Sequence, residues 1–153
     1  MNPSKNYDAL VREQEGCVLH PYLDQAGVPT IGIGTTRYPN GKHVTMNDSP
    51  ITLEQANDYL EHDSVAAANA VNEFVKSDIN QNQFDALVDF AYNAGTGALH
   101  SSTLLKLINV NPTDRAIPAA FAMWNKIHVD GKLQVSSGLT KRRKAESDLY
   151  FSK

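Results

Sequence analysis

The chain has 153 residues, of which 41% are hydrophobic and 20% are charged, and this composition excludes a disordered or fibrous protein. The formal net charge is −3, and the presence of one cysteine, Cys17, excludes an intramolecular disulfide. We therefore expect one globular domain over residues 1–153, with a core that needs neither a metal nor a disulfide.

Charge is unevenly distributed along the chain. Residues 1–77 contain five basic and ten acidic residues, whereas residues 78–153 contain nine basic and seven acidic residues. Four consecutive basic residues at 141–144 favour a solvated helix face, and attraction to an anionic polymer is the alternative. Because no aromatic residues interleave with this run and no nucleic-acid motif is present, we expect no nucleic-acid partner.

The first predicted element is a helix that begins at Ser4 and ends before Gly16. It carries five charged residues and no long apolar run, which predicts the absence of a signal peptide or membrane anchor. The helical period then disappears over residues 17–46, where glycines and prolines separate short β-prone pieces such as 28–33. This segment predicts a small sheet with tight turns.

Helical patterns dominate the rest of the chain. Thr52 and Gln55 form a capping-box pattern at the start of a long helix that runs toward Phe74. Four further helices are predicted, over residues 80–94, 102–108, 117–126 and 140–150. The order of elements predicts an α+β protein, with a small sheet lobe at about 17–50, a helical lobe at about 52–153 that includes the first helix, and an active-site cleft between them.

Two carboxyl groups support the first chemical hypothesis. Glu15 lies at the C-terminal end of the first predicted helix, where the negative end of the helix dipole favours its protonated form. Asp24 follows in a polar turn before Gly27, and we expect it to stay ionised. One protonated and one ionised carboxyl are what a glycoside hydrolase needs to protonate a leaving oxygen and to activate water.

Each candidate residue also has a purely structural explanation. An exposed glutamate at a helix end would account for Glu15, and an aspartate that bonds its own turn backbone would account for Asp24. Thr30 begins a strand-like segment, where its hydroxyl could hold a water between the carboxylates or its branched side chain could simply fill the strand. Spacing alone leaves these alternatives open.

The segment that contains these residues reads Glu15-Gly16, then Tyr22-Leu23-Asp24, then Gly27-Val28-Pro29-Thr30-Ile31-Gly32-Ile33-Gly34. Its order and spacing resemble those of the T4-type phage lysozymes, glycoside hydrolases that are also called endolysins or muramidases. The resemblance covers nearly the whole chain, because it continues at Asn93-Ala94-Gly95, Ser102-Thr103-Leu104-Leu105, Trp124-Asn125, Gly138-Leu139, Arg142-Arg143 and Glu146.

The resemblance implies a lysozyme-like fold and hydrolysis of the β-1,4 bond between N-acetylmuramic acid and N-acetylglucosamine in bacterial peptidoglycan, with inversion and without a cofactor. It implies that Glu15 is the general acid, that Asp24 activates or positions the attacking water, and that Thr30 holds that water. Thr36, Ser102 and Asn125 are implied to contact the substrate. For each of these three, a helix cap or an exposed polar residue is the alternative.

One position departs from the family pattern. Many members have histidine directly after the residue that matches Gly34, whereas this chain has Thr35 followed by Thr36. If that histidine fixes the position of the acid, this chain must use another support. The five histidines form no close ligand pair in the sequence, which predicts that there is no metal site.

The resemblance also implies a monomer that acts on peptidoglycan glycan strands during host lysis and has no stable membrane association. Such an enzyme is made in the host cytoplasm and reaches the wall in the periplasm through a separate membrane-permeabilising protein, a holin. Two other functions remain open: a related glycosidase that acts on chitin-like polymers, and a non-catalytic wall-binding module. The second would have lost a catalytic residue, and this chain keeps all three.

Overall fold

The computed structural model describes all 153 residues and contains seven helices and four strands. The helices are α1 (Lys5–Glu15), α2 (Leu53–Phe74), α3 (Gln81–Ala94), α4 (Thr96–Ser101), α5 (Thr103–Val110), α6 (Ile117–Ala122) and α7 (Ser137–Tyr150). The strands are β1 (Val18–Leu23), β2 (Pro29–Gly32), β3 (Lys126–Val129) and β4 (Lys132–Val135). They form two separate antiparallel pairs, β1–β2 and β3–β4, and the predicted α+β class is confirmed.

The residues form two compact units, which are described separately. The sheet unit is Val11–Val65, and the helical unit is Met1–Leu10 together with Ala66–Lys153. In the sheet unit, β1 and β2 pair so that Tyr22 lies opposite Thr30, with an irregularity in the ladder nearer the start of β1. The buried apolar side chains of this unit are Val11, Ile31, Ile33, Val44, Ala56 and Leu60.

Gly32 allows the end of β2 to lie against α2. A Cβ atom at this position would lie 3.2 Å from the Cβ of Ala56 and 3.3 Å from the Cδ1 of Ile51. The backbone of Gly32 also has φ +67°, which other residues adopt only with strain. The β-strand that contains Thr30 is therefore held close to the first turns of α2.

The predicted capping box at the start of α2 is confirmed. The Thr52 backbone N–H donates to Gln55 Oε1 at 2.9 Å, and the Gln55 N–H donates to Thr52 Oγ1 at 3.1 Å. Although α2 has 22 residues, neither it nor any other helix combines the length and the apolar character needed to cross a membrane.

The helical unit is built around α3, which a second capping box opens. The Asn80 side chain accepts from the Gln83 N–H, and the Gln83 side chain accepts from the Asn80 N–H. Aromatic rings then pack edge to face, with the Phe90 and Phe121 centroids 5.9 Å apart. The fully buried large apolar side chains of this unit are Phe84, Leu87, Phe90, Leu99, Leu104, Ile108, Ile117, Phe121 and Tyr150.

The predicted helix over residues 117–126 is wrong beyond Ala122, because a β-hairpin follows it. Strands β3 and β4 pair around the two-residue turn Asp130-Gly131, whose φ angles are +51° and +74°. Positive φ at both central residues is the geometry that an Asp-Gly hairpin turn supplies. The β-branched residues Ile127, Val129 and Val135 lie beyond the predicted helix and favour the strands that the sequence analysis did not predict.

The prediction that residues 141–144 form a solvated basic face is wrong for its two arginines. Arg142 is 4% exposed and Arg143 is 1% exposed, whereas the flanking Lys141 and Lys144 are exposed. The two arginines lie on the side of α7 that faces the core, where they pair with the carboxylates of Asp89 and Glu146. Four consecutive charges necessarily cover a full turn of a helix, so one part of the run points inward.

Candidate active site

Glu15 is the last residue of α1, and it is half-buried. The helix ends there because Gly16 adopts the left-handed conformation, with φ +64°. The Gly16 N–H still donates to the Arg12 carbonyl at 2.9 Å, which closes the final turn. The sequence thus places a carboxyl group at a fixed helix end, as predicted.

The backbone of Gly34 lies directly against the Glu15 carboxyl group. A Cβ atom at position 34 would lie 2.5 Å from Glu15 Cδ and 2.6 Å from Glu15 Oε2, distances that no real side chain tolerates. Gly34 also has φ +76°. The segment that follows β2 therefore packs on the carboxyl group and restricts where that group can lie. Gly34 belongs to the sequence motif, but its contact with Glu15 was not predicted.

Asp24 organises the turn between β1 and β2. Its Oδ1 accepts from the N–H groups of Ala26 and Val28, both at 2.9 Å. Its backbone N–H donates to the Val28 carbonyl at 3.0 Å, and the Gly27 N–H donates to the Asp24 carbonyl at 2.9 Å. The self-bonded turn that was the structural alternative is therefore present. Both side-chain bonds go to Oδ1, so they orient the carboxylate and leave Oδ2 able to accept a further hydrogen bond.

Thr30 is 3% exposed and is joined to the same turn. Its hydroxyl donates to the Val28 carbonyl at 2.9 Å, and that carbonyl also accepts from the Asp24 N–H. Because the hydroxyl hydrogen is engaged, the free lone pairs of Thr30 Oγ1 can accept a hydrogen bond from a neighbouring molecule. Asp24 and Thr30 are thus held in register through the backbone of Val28.

The Tyr22 phenol lies within the electrostatic influence of both carboxyl groups. Burial raises the pKa of its phenol, and the negative charges of Glu15 and Asp24 raise it further. Both carboxyl groups must lie near the phenol to act on it in this way. The structure therefore brings Glu15, Asp24, Thr30 and Gly34 into one region of the sheet unit. Tyr22 belongs to the sequence motif, but its proximity to both carboxyl groups was not predicted.

Thr35 and Thr36, which follow Gly34, differ in environment. Thr36 is exposed, and its carbonyl accepts from the Val44 N–H at 2.9 Å. Thr35 is fully buried, and its Oγ1 has no hydrogen-bond partner. The support that Gly34 gives to Glu15 is thus a backbone contact and does not involve the side chain that stands in place of the family's histidine.

Ser102 and Asn125 belong to the helical unit. Ser102 is 2% exposed and caps α5, accepting from the Leu105 N–H at 3.0 Å and donating to the Leu99 carbonyl at 2.8 Å. Its hydroxyl therefore fills the cap role that was its structural alternative. Asn125 is half-buried, and its amide donates to Thr140 Oγ1 at 3.2 Å.

No group of three or more histidine, cysteine, aspartate or glutamate side chains is arranged to hold a metal ion. Cys17 is exposed and unpaired. The polar side chains gathered in this region are the two carboxyl groups, the Thr30 hydroxyl and the Tyr22 phenol, and the Cys17 thiol also acts on that phenol.

Comparison with known proteins gives consistent matches over the full chain. The endolysin of Acyrthosiphon pisum secondary endosymbiont phage 1 is 37% identical over 152 residues and covers 99% of both chains. The endolysin of Salmonella phage P22 is 33% identical with the same coverage. Among solved structures, an endolysin from Escherichia coli O157:H7 phage FAHEc1 has a TM-score of 0.89 and 41% identity, covering 99% of this chain and 94% of its own.

The family model described as Phage lysozyme matches residues 12–146, a range that contains both candidate carboxyl groups and all four strands. The full-length relatives and the structural match agree with this assignment. The chain belongs to the phage lysozyme family.

Proposed function

We propose that this lysozyme hydrolyses the β-1,4 bond between N-acetylmuramic acid and N-acetylglucosamine in peptidoglycan, with Glu15 as the acid and Asp24 as the base. The observation that carries the proposal is the placement of both carboxyl groups in one region of the sheet unit, where the Gly34 backbone packs on Glu15, the Val28 turn orients Asp24, and Tyr22 lies near both. Family membership supports the same reaction.

The two carboxyl groups divide the work in a single displacement. Glu15 gives its proton to the glycosidic oxygen as the bond from that oxygen to the anomeric carbon breaks. A water held by Asp24 Oδ2 and Thr30 Oγ1 attacks the anomeric carbon from the opposite face and gives a proton to Asp24. The bonds to Asp24 Oδ1 and the bond from Thr30 to Val28 keep both acceptors in place for this water. The product is an inverted, α-configured reducing sugar.

Thr36 and Asn125 are proposed to contact the glycan, because each presents a polar side chain that is at least partly exposed. We leave Ser102 outside the proposed contacts, because both its donor and its acceptor already serve the cap of α5. The protein is further proposed to act as a monomer on the cell wall and to depend on a separate holin for access to it. Lysis of host cells expressing this protein with and without a holin tests that dependence.

Purified peptidoglycan tests the reaction directly. We expect the released fragments to carry N-acetylmuramic acid at their reducing end. NMR of the fresh product should show the α-anomer of this sugar before mutarotation. The Glu15→Gln variant should fold normally but lose roughly 10³-fold or more in turnover, because an amide cannot donate the required proton. A β-anomer, or a covalent adduct on Asp24 detected by mass spectrometry, would contradict the inverting mechanism.

The same assay separates the rival functions. A glycosidase of chitin-like polymers would release sugars from chitin oligomers faster than from peptidoglycan. A wall-binding module would sediment with peptidoglycan and release nothing, and Glu15→Gln would then behave as the parent protein does. Affinity that falls steeply with salt would instead indicate binding to nucleic acid.

A further inference from the structure

A pocket of about 720 Å³ lies within the sheet unit and takes no part in the chemistry described above. One side comes from α2, through Gln55 and Tyr59, and the other from the segments 38–40 and 47–51. None of the residues assigned to the reaction lines it. Its volume falls within the range of small-ligand sites, roughly 300–1,000 Å³. We call it the tyrosine pocket.

Two tyrosine rings form its aromatic wall. The centroids of Tyr38 and Tyr59 are 5.5 Å apart, and the ring planes meet at 69°, an edge-to-face arrangement. The Tyr38 hydroxyl donates to Asp48 Oδ2 at 2.7 Å, which fixes the ring on its polar side. Both tyrosines are only half-buried, so ring surface remains open to the pocket.

The one charged side chain in the wall is already satisfied. Asp48 accepts from the Tyr38 hydroxyl and also from the backbone N–H and the hydroxyl of Thr45, at 3.0 and 2.7 Å. The backbone bond from Thr45, together with the two hydroxyl bonds, lowers the pKa of Asp48. Burial and the bond to Asp48 raise the pKa of Tyr38 to about 12. The pair therefore keeps the same protonation states across the neutral range.

Amide groups supply fixed donors around the rings. Gln55 Oε1 accepts from the Thr52 N–H at 2.9 Å, and Asn40 Oδ1 accepts from the Lys42 N–H at 2.9 Å. Each of these bonds orients an amide so that its NH₂ group remains for a ligand. Asn47 and Ser49 add exposed polar groups at the same rim. No lysine or arginine lines the pocket, which disfavours phosphate, carboxylate and other anions.

We propose that the tyrosine pocket is a second carbohydrate site, which binds uncharged N-acetylglucosamine units of a glycan strand. The apolar face of a pyranose ring fits an aromatic wall, and its hydroxyl and acetamido oxygens match the amide donors of Asn40 and Gln55. The N-acetylmuramic acid of peptide-free strands fits less well, because its lactyl carboxylate would meet Asp48 and no cation. The identity of the natural ligand rests on the proposed function, since peptidoglycan supplies such strands.

Titration of the ¹⁵N-labelled Glu15→Gln protein with the peptide-free trimer of N-acetylglucosamine tests the proposal. We expect saturable NMR shifts of the backbone amides in 38–40 and 47–51 and of the side-chain amides of Asn40 and Gln55. Tyr59→Ala should weaken this binding at least about tenfold, because it removes half of the aromatic wall. Tyr59→Phe is the matched control: it keeps the ring and should retain affinity within about threefold.

Asn47→Ala serves as a second variant, since this residue lines the pocket and is exposed, so its truncation should leave the fold intact. Weaker binding in this variant would support the proposal. Shifts confined to the region of Asp24 and Thr30, or equal shifts from a sugar-free stem peptide, would overturn it. Muropeptide release by the unmodified protein is measured separately. If muropeptides are released but the amides of the tyrosine pocket do not shift, only the second site is contradicted. If those amides shift but no muropeptides are released, only the proposed reaction is contradicted.

Discussion

Glu15 and Gly34 are nineteen residues apart in the sequence. The Glu15 carboxyl group nevertheless occupies space that a side chain at position 34 would fill. The family's histidine is missing at the next position, and the buried Thr35 hydroxyl that replaces it makes no hydrogen bond. Packing of the Gly34 backbone therefore helps to position the proposed acid.

Gly34→Ala should reduce turnover by about 10²-fold or more, since a Cβ atom would displace the Glu15 carboxyl group from its place. Both steady-state turnover on peptidoglycan and thermal unfolding are measured. Gly41→Ala is the matched control: Gly41 also has positive φ, +86°, but a Cβ atom there meets nothing within 4 Å. Each variant should lose about 1–2 kcal/mol of stability from backbone strain. Equal turnover in the two variants would contradict the positioning role.

At the level of elements, the β1–β2 hairpin brings together several of the residues proposed to act in the reaction. Its turn holds Asp24, its second strand holds Thr30, and the Val28 backbone bonds to both. Tyr22 lies opposite Thr30 in the ladder and close to both carboxyl groups. The hairpin therefore carries the proposed base, the proposed second ligand of the attacking water and a neighbouring phenol in a single local structure.

Thr30→Val removes the hydroxyl with little change in shape, so we expect kcat to fall about 10²-fold while KM changes little. Thr30→Ser restores the hydroxyl and should return kcat to within about tenfold of the parent value. The two constants are measured on soluble glycan fragments. A parallel rise in KM, or failure of the serine variant to recover, would show that Thr30 only packs within the strand.

Sequence patterns predicted the elements whose signals are local. Gly16 ended α1, and the Thr52 and Gln55 pair opened α2, because caps and stops act within one turn of helix. The β3–β4 hairpin was missed although its Asp130-Gly131 turn and the alternating residues beside it are local hairpin signals. The contacts of Gly34 with Glu15 and of Tyr22 with both carboxyl groups join residues distant in sequence, which periodicity cannot report.

At the scale of the molecule, a buried cluster of charged side chains joins α3 and α7 in the helical unit. Arg142 binds Asp89 through two bonds of 2.9 and 2.8 Å, and Arg143 donates to Glu146 Oε1 at 2.8 Å. The Arg143 guanidinium also lies 5.0 Å from the centroid of the Phe90 ring. All four charged groups are buried, so none can be removed without leaving another uncompensated.

Asp89→Asn should lower the free energy of unfolding by about 3–5 kcal/mol, because it leaves Arg142 buried without its charge partner. Chemical denaturation measures the loss. The comparison is Lys144→Ala, which breaks the exposed pair between Lys144 and Asp148 and should cost below about 1 kcal/mol. A similar small loss in both variants would mean that water reaches the cluster and relieves the charge.

The pH dependence of stability should carry the signature of Glu146. Burial, more than any other factor, raises the pKa of this carboxyl well above its usual value, although Arg143 opposes the shift. The folded state therefore binds a proton that the unfolded state has released, and stability falls as pH rises from the usual pKa of glutamate toward the raised one. Glu146→Gln imitates the protonated form. Its unfolding free energy, measured at several pH values, should vary less over that range than that of the parent protein.

In α7, two buried arginines lie between two exposed lysines, and this arrangement allows chemical modification to detect unfolding of the chain. Amine-directed reagents will modify Lys141 and Lys144 in the native protein, since both side chains face solvent. Reagents directed at guanidinium groups will reach Arg142 and Arg143 only after the helix has left its neighbours, because both are almost fully covered. Mass spectrometry of a single peptide from this helix would then record surface accessibility and global opening in the same experiment, with no attached dye or engineered residue.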